Sequence, residues 1–211
     1  MVIKRFPPVE SADEHGLLAI GGDLAPESVL LAYANGIFPW PIDEETLAWF
    51  SPPERAVIFV DEFRPPKRLK RSLKKASFTT KRDTSFTRVM EECAQVINRG
   101  DQDGTWITTD MIAAYTALFE LGHCHSFETY LEGALVGGLY GIQIGEFFAA
   151  ESSFFRVSDA SKVAMCELVE YLRELQIPWF DCQVLTPFSE SFGAREIPRS
   201  DYMKLLAQAL K

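Results

Sequence analysis

The sequence predicts an α+β fold, and three observations lead to this prediction. Residues 126–131, 134–144 and 146–154 are predicted to form strands, and the short turns between them, Glu132-Gly133 and Gly145-Glu146, are typical of hairpins. A helical segment, a short apolar strand and a second helical segment follow. The chain has 211 residues, 47% of them hydrophobic and 24% charged, which is sufficient for a core and excludes a disordered protein. Antiparallel strands followed by helix, strand and helix are typical of α+β domains.

The first 60 residues are rich in turns and predict a small N-terminal domain. Pro26 begins a helix that Gly36 ends. The stretches 37–41 and 49–53 combine aromatic residues with proline, which removes backbone donors, so we expect ordered loops there rather than strands. The predicted domains comprise residues 1–60 and 61–211.

The other elements are predicted from the spacing of apolar residues. Further strands are expected at residues 56–60, 77–81 and 179–185. Helices are expected at residues 68–75, 86–97 (closed by Gly100), 111–121 (ended by Gly122) and 159–175, and in a C-terminal segment capped by Ser200.

The charge of the chain is divided unevenly. The net charge is −9, yet residues 64–88 contain ten basic residues and one acidic residue. The other 186 residues carry 11 basic and 29 acidic side chains. A compact positive patch on an acidic protein suits a polyanion held at one place, and the acidic remainder favours a cationic second partner. A solvated basic helix without a ligand is the alternative.

Several classes of protein are not expected. No apolar run approaches the roughly 18–20 residues of a membrane span, and the start of the chain has no apolar signal core, so no export is indicated. The four cysteines show no CxxC spacing and are interpreted as reduced thiols of a cytoplasmic protein. No metal site is expected, because His123, Cys124 and His125 form a weak set of ligands. The glycines at 137, 138 and 141 lie in a strand and do not open a helix, which argues against a dinucleotide site.

Three polar residues are candidates for chemistry. Asp181 and Gln183 lie in an apolar strand and would project from one face, about 7 Å apart. Asp181 could polarise Gln183, and Gln183 could contact a reacting amine; a structural hydrogen-bonded pair is the alternative. Glu151 follows four apolar residues, so it is either the solvent end of a strand or a buried anion that would bind an Arg or Lys side chain.

Two tryptophans are candidates for binding a base. Trp40 lies in a proline-stiffened loop and Trp106 lies just before a helix. An exposed ring beside a polyanion site stacks on a nucleobase with roughly 1–3 kcal/mol per base. Packing of both rings in the core is the alternative.

Taken together, these segments resemble bacterial leucyl/phenylalanyl-tRNA–protein transferases over nearly the whole chain. The segments that carry the resemblance include Gly36-Ile37-Phe38-Pro39-Trp40, Thr105-Trp106-Ile107-Thr108, Leu135-Val136-Gly137-Gly138, Glu151-Ser152, Asp181-Cys182-Gln183 and Glu196-Ile197-Pro198-Arg199.

The resemblance implies both a fold and an activity. It implies a small N-terminal domain and a C-terminal domain like that of GCN5-related acetyltransferases, a mixed sheet flanked by helices. Such an enzyme transfers Leu or Phe, sometimes Met, from tRNA to the N-terminal Arg or Lys of a protein, which marks that protein for N-end rule degradation. We expect a cytoplasmic monomer. No cofactor should be needed, because the aminoacyl ester is already activated.

The resemblance also implies residue roles. Asp181, Gln183 and Glu151 would serve the acceptor amine and its cationic side chain, with Asp181 acting as a base through Gln183. Trp40 and Trp106 would hold the terminal adenosine. The acceptor stem of the tRNA would contact Lys67, Arg68, Lys70, Arg71, Lys74, Lys75, Lys81 and Arg82. The pocket for the transferred side chain would be formed by Leu139, Phe148, Ser153, Met165, Leu168 and Phe180.

Some positions depart from the family pattern. Ala150 and Ser153 stand where glycine and methionine are expected around the Glu-Ser pair, and Phe188 stands where histidine is expected. Ser153 therefore bears most on amino-acid preference. The rival hypotheses are an acyltransferase of related fold with another acceptor, such as a cell-wall peptide or small amine, an acetyl-CoA enzyme, and a tRNA-binding protein without catalysis.

Overall fold

The computed structural model describes residues 2–43, 45–66, 69, 77–96, 98–99, 102–103 and 105–211. The strands are β1 (Leu17–Ile20), β2 (Phe38–Pro39), β3 (Ala48–Phe50), β4 (Glu54–Phe59), β5 (Phe78–Arg82), β6 (Asn98–Arg99), β7 (Gln102–Asp103), β8 (Cys124–Leu131), β9 (Ala134–Ile144), β10 (Phe147–Phe155), β11 (Trp179–Asp181) and β12 (Arg195–Pro198). The α-helices are α1 (Pro26–Ala34), α2 (Phe86–Ala94), α3 (Thr109–Glu120), α4 (Ala160–Glu174), α5 (Pro187–Glu190) and α6 (Arg199–Ala209).

A seven-stranded mixed sheet forms the centre of the molecule. Its order is β12-β4-β11-β10-β9-β8-β5, and the neighbours are antiparallel except for the parallel pair β10 and β11. Two hairpins join β8, β9 and β10, and Gly133 and Gly145 adopt positive φ in their turns. This arrangement confirms the predicted α+β class and the two predicted hairpins.

The sheet is covered on both faces by helices. α4 packs against β8 and β9, and its residues Met165, Leu168, Val169 and Leu172 are buried there. They recur at the spacing of one helix face, as the sequence predicts. Helices α2 and α3 contribute Val89 and other apolar side chains to a separate core that also receives α1 and α6. The sheet thus separates two hydrophobic cores.

The N-terminal stretches 37–41 and 49–53 were predicted to be loops, and this prediction is wrong in part. Phe38 and Pro39 form an edge strand against β3, in a three-stranded sheet of order β1-β3-β2. Proline is tolerated there because an edge strand needs backbone donors on one side only. Backbone pairing with β1 and β2 on its two sides makes Ala48–Phe50 a strand despite the prolines that follow it.

The predicted division of the chain near residue 60 stays a prediction. Strand β4 lies on the N-terminal side of that position, yet it pairs with β11 and β12 in the large sheet. A division placed before Glu54 would keep the seven-stranded sheet within one domain.

Four predicted element boundaries need correction or lie outside the described residues. The predicted strand 179–185 ends at Asp181, and α2 ends at Ala94 instead of continuing to residue 97. α6 begins at Arg199 after Pro198, so Ser200 lies inside the helix rather than at its cap. The predicted helix 68–75 falls outside the described residues, apart from the buried Leu69. Within the described ranges, no helix combines the length and the apolar composition needed to cross a membrane.

Candidate active site

The candidate site lies where the parallel strands β10 and β11 separate. The two strands share the register pair Ala149 and Asp181, after which β11 ends and β10 continues to Phe155. The register of β10 against β9 shifts between Ala150 and Ser152, which makes Glu151 the extra residue of a bulge. The end of one strand and the bulge of the other bring Asp181, Gln183 and Glu151 together.

Asp181 is fully buried, and both of its carboxylate oxygens are occupied. Arg55 Nε donates to Oδ1 at 2.9 Å and to Oδ2 at 3.1 Å, and Arg55 Nη2 donates to Oδ2 at 2.7 Å. The Tyr202 hydroxyl donates to Oδ2 at 3.0 Å, and the Gln183 backbone N–H donates to Oδ1 at 2.8 Å. A carboxylate accepts about four hydrogen bonds, so Asp181 has no capacity left for a substrate.

Arg55 is buried with Asp181 and connects the N-terminal segment to the site. Its side chain is 1% exposed, and its guanidinium carbon lies 4.6 Å from the Phe38 ring centroid and 4.5 Å from that of Tyr202. Arg55 Nη1 also donates to the Gly36 carbonyl at 3.0 Å. Burial lowers the pKa of Arg55, but the Asp181 carboxylate outweighs it and the pKa lies above its usual value. Charge pairing and ring contacts thus hold Arg55 in its ionised form.

Gln183 adopts a strained backbone conformation that Asp181 stabilises. Its φ is 55°, and the N–H of Val184 donates to the Cys182 carbonyl at 2.7 Å, which closes a γ-turn around Gln183. A positive φ is costly for a residue other than glycine and persists where surrounding contacts impose it. The predicted placement of Asp181 and Gln183 on one strand face is therefore wrong. Asp181 binds the backbone of Gln183, and the side-chain Nε2 donates instead to Glu151 Oε1 at 2.8 Å.

Glu151 is drawn into the protein interior rather than placed at the solvent end of a strand. It keeps partial exposure, and its carboxyl group accepts from Gln183 and interacts with the Tyr33 hydroxyl. The Tyr33 hydroxyl lies 2.7 Å from that of Tyr115, and both tyrosines are fully buried. Burial raises the pKa of Glu151 to about 8, against the lowering effect of the Tyr33 hydrogen bond. Burial therefore favours the protonated form of Glu151 at neutral pH.

The structure brings the two predicted base-binding tryptophans together. The rings of Trp40 and Trp106 stack on each other, with centroids 4.9 Å apart and planes inclined by 18°, and both are partly exposed. Thr108 caps the helix that follows Trp106 and accepts from the Met111 N–H at 3.3 Å. A base could stack on an outer ring face, or between the rings if they separate.

The residues predicted to line the amino-acid pocket also lie together. Five of them are buried in the core on the α4 side of the sheet: Leu139, Phe148, Met165, Leu168 and Phe180. Ser153 is partly exposed and lies opposite Leu139 in the register of β10 and β9. Their role as a pocket stays a prediction.

Two of the predicted tRNA-binding residues lie within the described part of the chain. Lys81 and Arg82 belong to the edge strand β5, three strands beyond β10 and so about 15 Å from it across the sheet. The guanidinium carbon of Arg82 lies 4.4 Å from the Tyr171 ring centroid, and its Nη1 lies 3.5 Å from Glu174 Oε2. Lys81 Nζ lies 5.0 Å from the Tyr130 ring centroid. The predictions for Lys67, Arg68, Lys70, Arg71, Lys74 and Lys75 fall outside the described residues.

Four residues of the site were not predicted to belong to it. Arg55 precedes an apolar strand and resembles an ordinary flanking charge in the sequence. Tyr33, Tyr115 and Tyr202 lie in helices, where an aromatic residue most often packs in the core. The only available signal was an arginine at the edge of a buried strand, which requires a partner.

Comparisons with known proteins show which family the chain is similar to. The family model described as leucyl/phenylalanyl-tRNA protein transferase matches residues 57–207, and the model of the N-terminal domain of that family matches residues 22–53. A protein of Dechloromonas aromatica named leucyl/phenylalanyl-tRNA–protein transferase is 50% identical over 204 residues, which cover 96% of this chain and 87% of that protein. A protein of the same name from Nitrosomonas europaea is 48% identical over 205 residues, covering 96% and 86%.

A solved structure supports the fold. The crystal structure of FemX aligns with a TM-score of 0.50 at 11% identity, covering 82% of this chain and 66% of that one. At that identity the likeness shows the fold alone, and it agrees with the expected mixed sheet flanked by helices. With family models matched over most of its length and relatives near 50% identity, the chain belongs to the leucyl/phenylalanyl-tRNA–protein transferase family.

Proposed function

We propose that this chain transfers Leu or Phe, or Met, from aminoacyl-tRNA to the N-terminal Arg or Lys of acceptor proteins and so marks them for N-end rule degradation. As a member of its family it is an aminoacyltransferase. The observation that carries the proposal is the pairing of Glu151 with Gln183 at the opening between β10 and β11. This pairing places a proton-accepting carboxyl group and an amide together where an amine and an ester could meet.

The chemistry needed at this opening is modest. The ester bond of an aminoacyl-tRNA is already activated, so the enzyme has mainly to align the amine with the carbonyl carbon, which can supply several kcal/mol. Gln183 and Glu151 would contact the acceptor, and Asp181 would hold Gln183 through its backbone. The proposed role of Asp181 thus changes from a base to a positioning residue.

The tRNA would be bound at two places. Its terminal adenosine would stack on the paired rings of Trp40 and Trp106. Its acceptor stem would contact the basic residues within 64–88. Lys81 and Arg82 at the sheet edge would extend that surface. The acidic remainder of the chain would attract the cationic N-terminus of the acceptor protein.

The transferred side chain would occupy space bounded by the core on the α4 side of the sheet. Burying an apolar side chain there supplies about 1.5–3 kcal/mol, which selects Leu or Phe over polar residues. Apolar pockets discriminate weakly among apolar side chains of similar size. Ser153 is smaller and more polar than the expected methionine, so we propose that it sets the preference among Leu, Phe and Met.

The setting of this reaction follows from its substrates. Charged tRNA and newly exposed protein N-termini are cytoplasmic, and we propose that the chain acts there as a monomer. We retain the proposed division near residue 60 into a small N-terminal domain and a catalytic domain. Because β4 pairs with β11 in the large sheet, a junction just before Glu54 is the alternative position.

Mass spectrometry of acceptor peptides tests the function directly. The protein is incubated with bacterial tRNA charged with all amino acids and with a peptide that begins with Arg. We expect a mass gain equal to Leu or Phe, which is lost after RNase treatment and absent for a matched peptide that begins with Ala. Addition of a different amino acid would indicate that Ser153 changes the amino-acid preference. No addition, with tRNA still bound, would favour another acceptor or a binding protein.

A further inference from the structure

Among the residues that the structure describes, two carboxyl groups lie at the site, and Glu151 is the one of the two that is in a position to meet a substrate. Asp181 is 0% exposed, and Arg55, Tyr202 and the Gln183 backbone occupy its oxygens. Glu151 keeps partial exposure at the bulge where β10 and β11 separate. A group that accepts a proton from an amine must come within hydrogen-bonding distance of it, either directly or through one water.

The position of the Glu151 carboxyl group is determined by a chain of buried hydroxyls. Tyr33 on α1 interacts with Glu151, and Tyr115 on α3 lies 2.7 Å from the Tyr33 hydroxyl. If Tyr33 donates its hydrogen to the carboxyl group, Tyr115 must donate to Tyr33. Both rings are fully buried, so neither hydroxyl can turn to solvent. With Gln183 Nε2 donating to Oε1 at 2.8 Å, the carboxyl group is held from two sides.

We propose that Glu151 is the general base that takes the proton from the acceptor α-amino group, and that Tyr33 and Tyr115 are positioning residues that hold its carboxyl group. This assignment rests on the proposed function. It gives the proton-accepting role to a residue different from Asp181.

The proposed step conserves atoms and charge. The lone pair of the neutral α-amino nitrogen forms a bond to the carbonyl carbon of the aminoacyl ester. As the nitrogen becomes positive, one of its protons passes to the Glu151 carboxylate. The bond between the carbonyl carbon and the ribose oxygen then breaks, with its electron pair remaining on oxygen, and Glu151 returns the proton to that oxygen. The products are the amide and the tRNA with a free hydroxyl.

The acidity of Glu151 suits this role. Its pKa is raised to about 8 by burial, close to that of an α-amino group at about 8, which is the matching that favours general base catalysis. Charged and titratable groups act on this carboxyl group from each element that surrounds it. They are Tyr33 of α1, Arg55 of β4, Tyr115 of α3, Cys124 of β8, Asp181 of β11 and Tyr202 of α6.

The pH dependence of transfer separates this proposal from a structural role. Because both the amine and Glu151 must lose a proton, log kcat/KM of the wild type should rise with a slope of about two well below pH 8. Glu151→Gln preserves the shape of the side chain, and its profile should keep a slope of about one from the amine. The rate at pH 8 should fall at least about 100-fold, with tRNA binding unchanged. A Glu151→Gln enzyme with the slope and rate of the wild type would overturn the proposal.

A second comparison distinguishes a base from a residue that recognises the cationic side chain. Peptides that begin with Arg or with the neutral isostere citrulline are assayed with the wild type and Glu151→Gln. A base acts on the α-amino group of both peptides, so the substitution should lower both rates by the same factor. If instead the substitution lowers only the rate for the Arg peptide, Glu151 binds the guanidinium and the proposal is wrong.

Tyr33→Phe and Tyr202→Phe are a matched pair that tests the positioning role. Each removes one buried hydroxyl, from Glu151 and from Asp181 respectively. The Tyr33 hydrogen bond lowers the pKa of Glu151, so its loss should move the midpoint of the pH profile upward, whereas Tyr202→Phe, which removes a hydrogen bond to Asp181, should move the midpoint less. Equal midpoints in both variants would refute the role of Tyr33. Failure of the wild type to modify any Arg peptide would instead refute the proposed function itself.

Discussion

The substitution Asp181→Asn removes the negative charge from the buried pair and leaves Arg55 charged. The guanidinium has 1% exposure and would lose its ionic partner. The amide nitrogen of the new side chain would face a donor, because Arg55 and Tyr202 both donate to Oδ2 while Arg55 and the Gln183 backbone donate to Oδ1. Whichever way the amide is turned, one donor meets another. The backbone turn at Gln183 would lose part of its support.

Removing one partner of a buried ion pair costs about 3–5 kcal/mol. For a chain of this size, each kcal/mol lowers Tm by about 2–4 °C, so the expected loss is about 6–20 °C. At a temperature well below the lowered Tm, transfer should fall strongly while tRNA binding persists. The loss of transfer would follow from movement of Gln183, whose side chain donates to Glu151 at 2.8 Å.

Urea denaturation followed by circular dichroism measures the stability, and transfer to an Arg peptide measures the activity. Glu170→Gln is the matched control, because it breaks an exposed pair with Arg173 and should cost less than about 1 kcal/mol. A free energy of unfolding for Asp181→Asn within 1 kcal/mol of the wild type would refute the supporting role of Asp181. A fully stable variant without turnover would show that Asp181 acts directly in the reaction.

Other substitutions test separate parts of the structure. Trp40→Ala should weaken binding of the tRNA terminus by about 1–3 kcal/mol, as measured by titration with a short 3′-terminal oligonucleotide; unchanged affinity would place the base elsewhere. The folded-state pKa of Glu151 is raised from 4.5 to about 8, so the stability associated with its protonated form is lost as pH rises through that window. Glu151→Gln should therefore be more stable than the wild type above pH 8, by on the order of a few kcal/mol, and similar to it near pH 4; equal stability at both pH values would contradict this. Lys74→Ala combined with Lys75→Ala should weaken all charged tRNAs alike and reduce the salt dependence of binding by about two ion equivalents, whereas a loss confined to one tRNA would refute a backbone contact. Gly141→Ala would place a Cβ in steric conflict with the Ala149 carbonyl oxygen, so we expect a lowered Tm, and an unchanged Tm would contradict that packing.

Local patterns in the chain were sufficient for much of the fold. Three features depend on residues that are close in the sequence and could therefore be predicted from it. They are the spacing of Leu168 and its neighbours along α4, the glycine turns of the two hairpins, and Pro26 at the start of α1. Asp181, Gln183 and Glu151 were identifiable as polar residues in or beside apolar strands. In each case, the residues nearby in the sequence are enough to predict whether a residue is buried or lies in a turn.

The working arrangement of the site depended on contacts between distant parts of the chain. Arg55 and Asp181 are 126 residues apart, and the hydroxyls of Tyr33 and Tyr115 belong to residues separated by 82 positions. The turn at Gln183 is supported by a backbone hydrogen bond to Asp181, whose carboxylate is held by Arg55. The edge strand β2 forms even though it contains Pro39, because β3 pairs with it. Sequence patterns specify which side chains must be buried, but hydrogen bonds and ion pairs between them form only after folding brings their partners within about 3 Å.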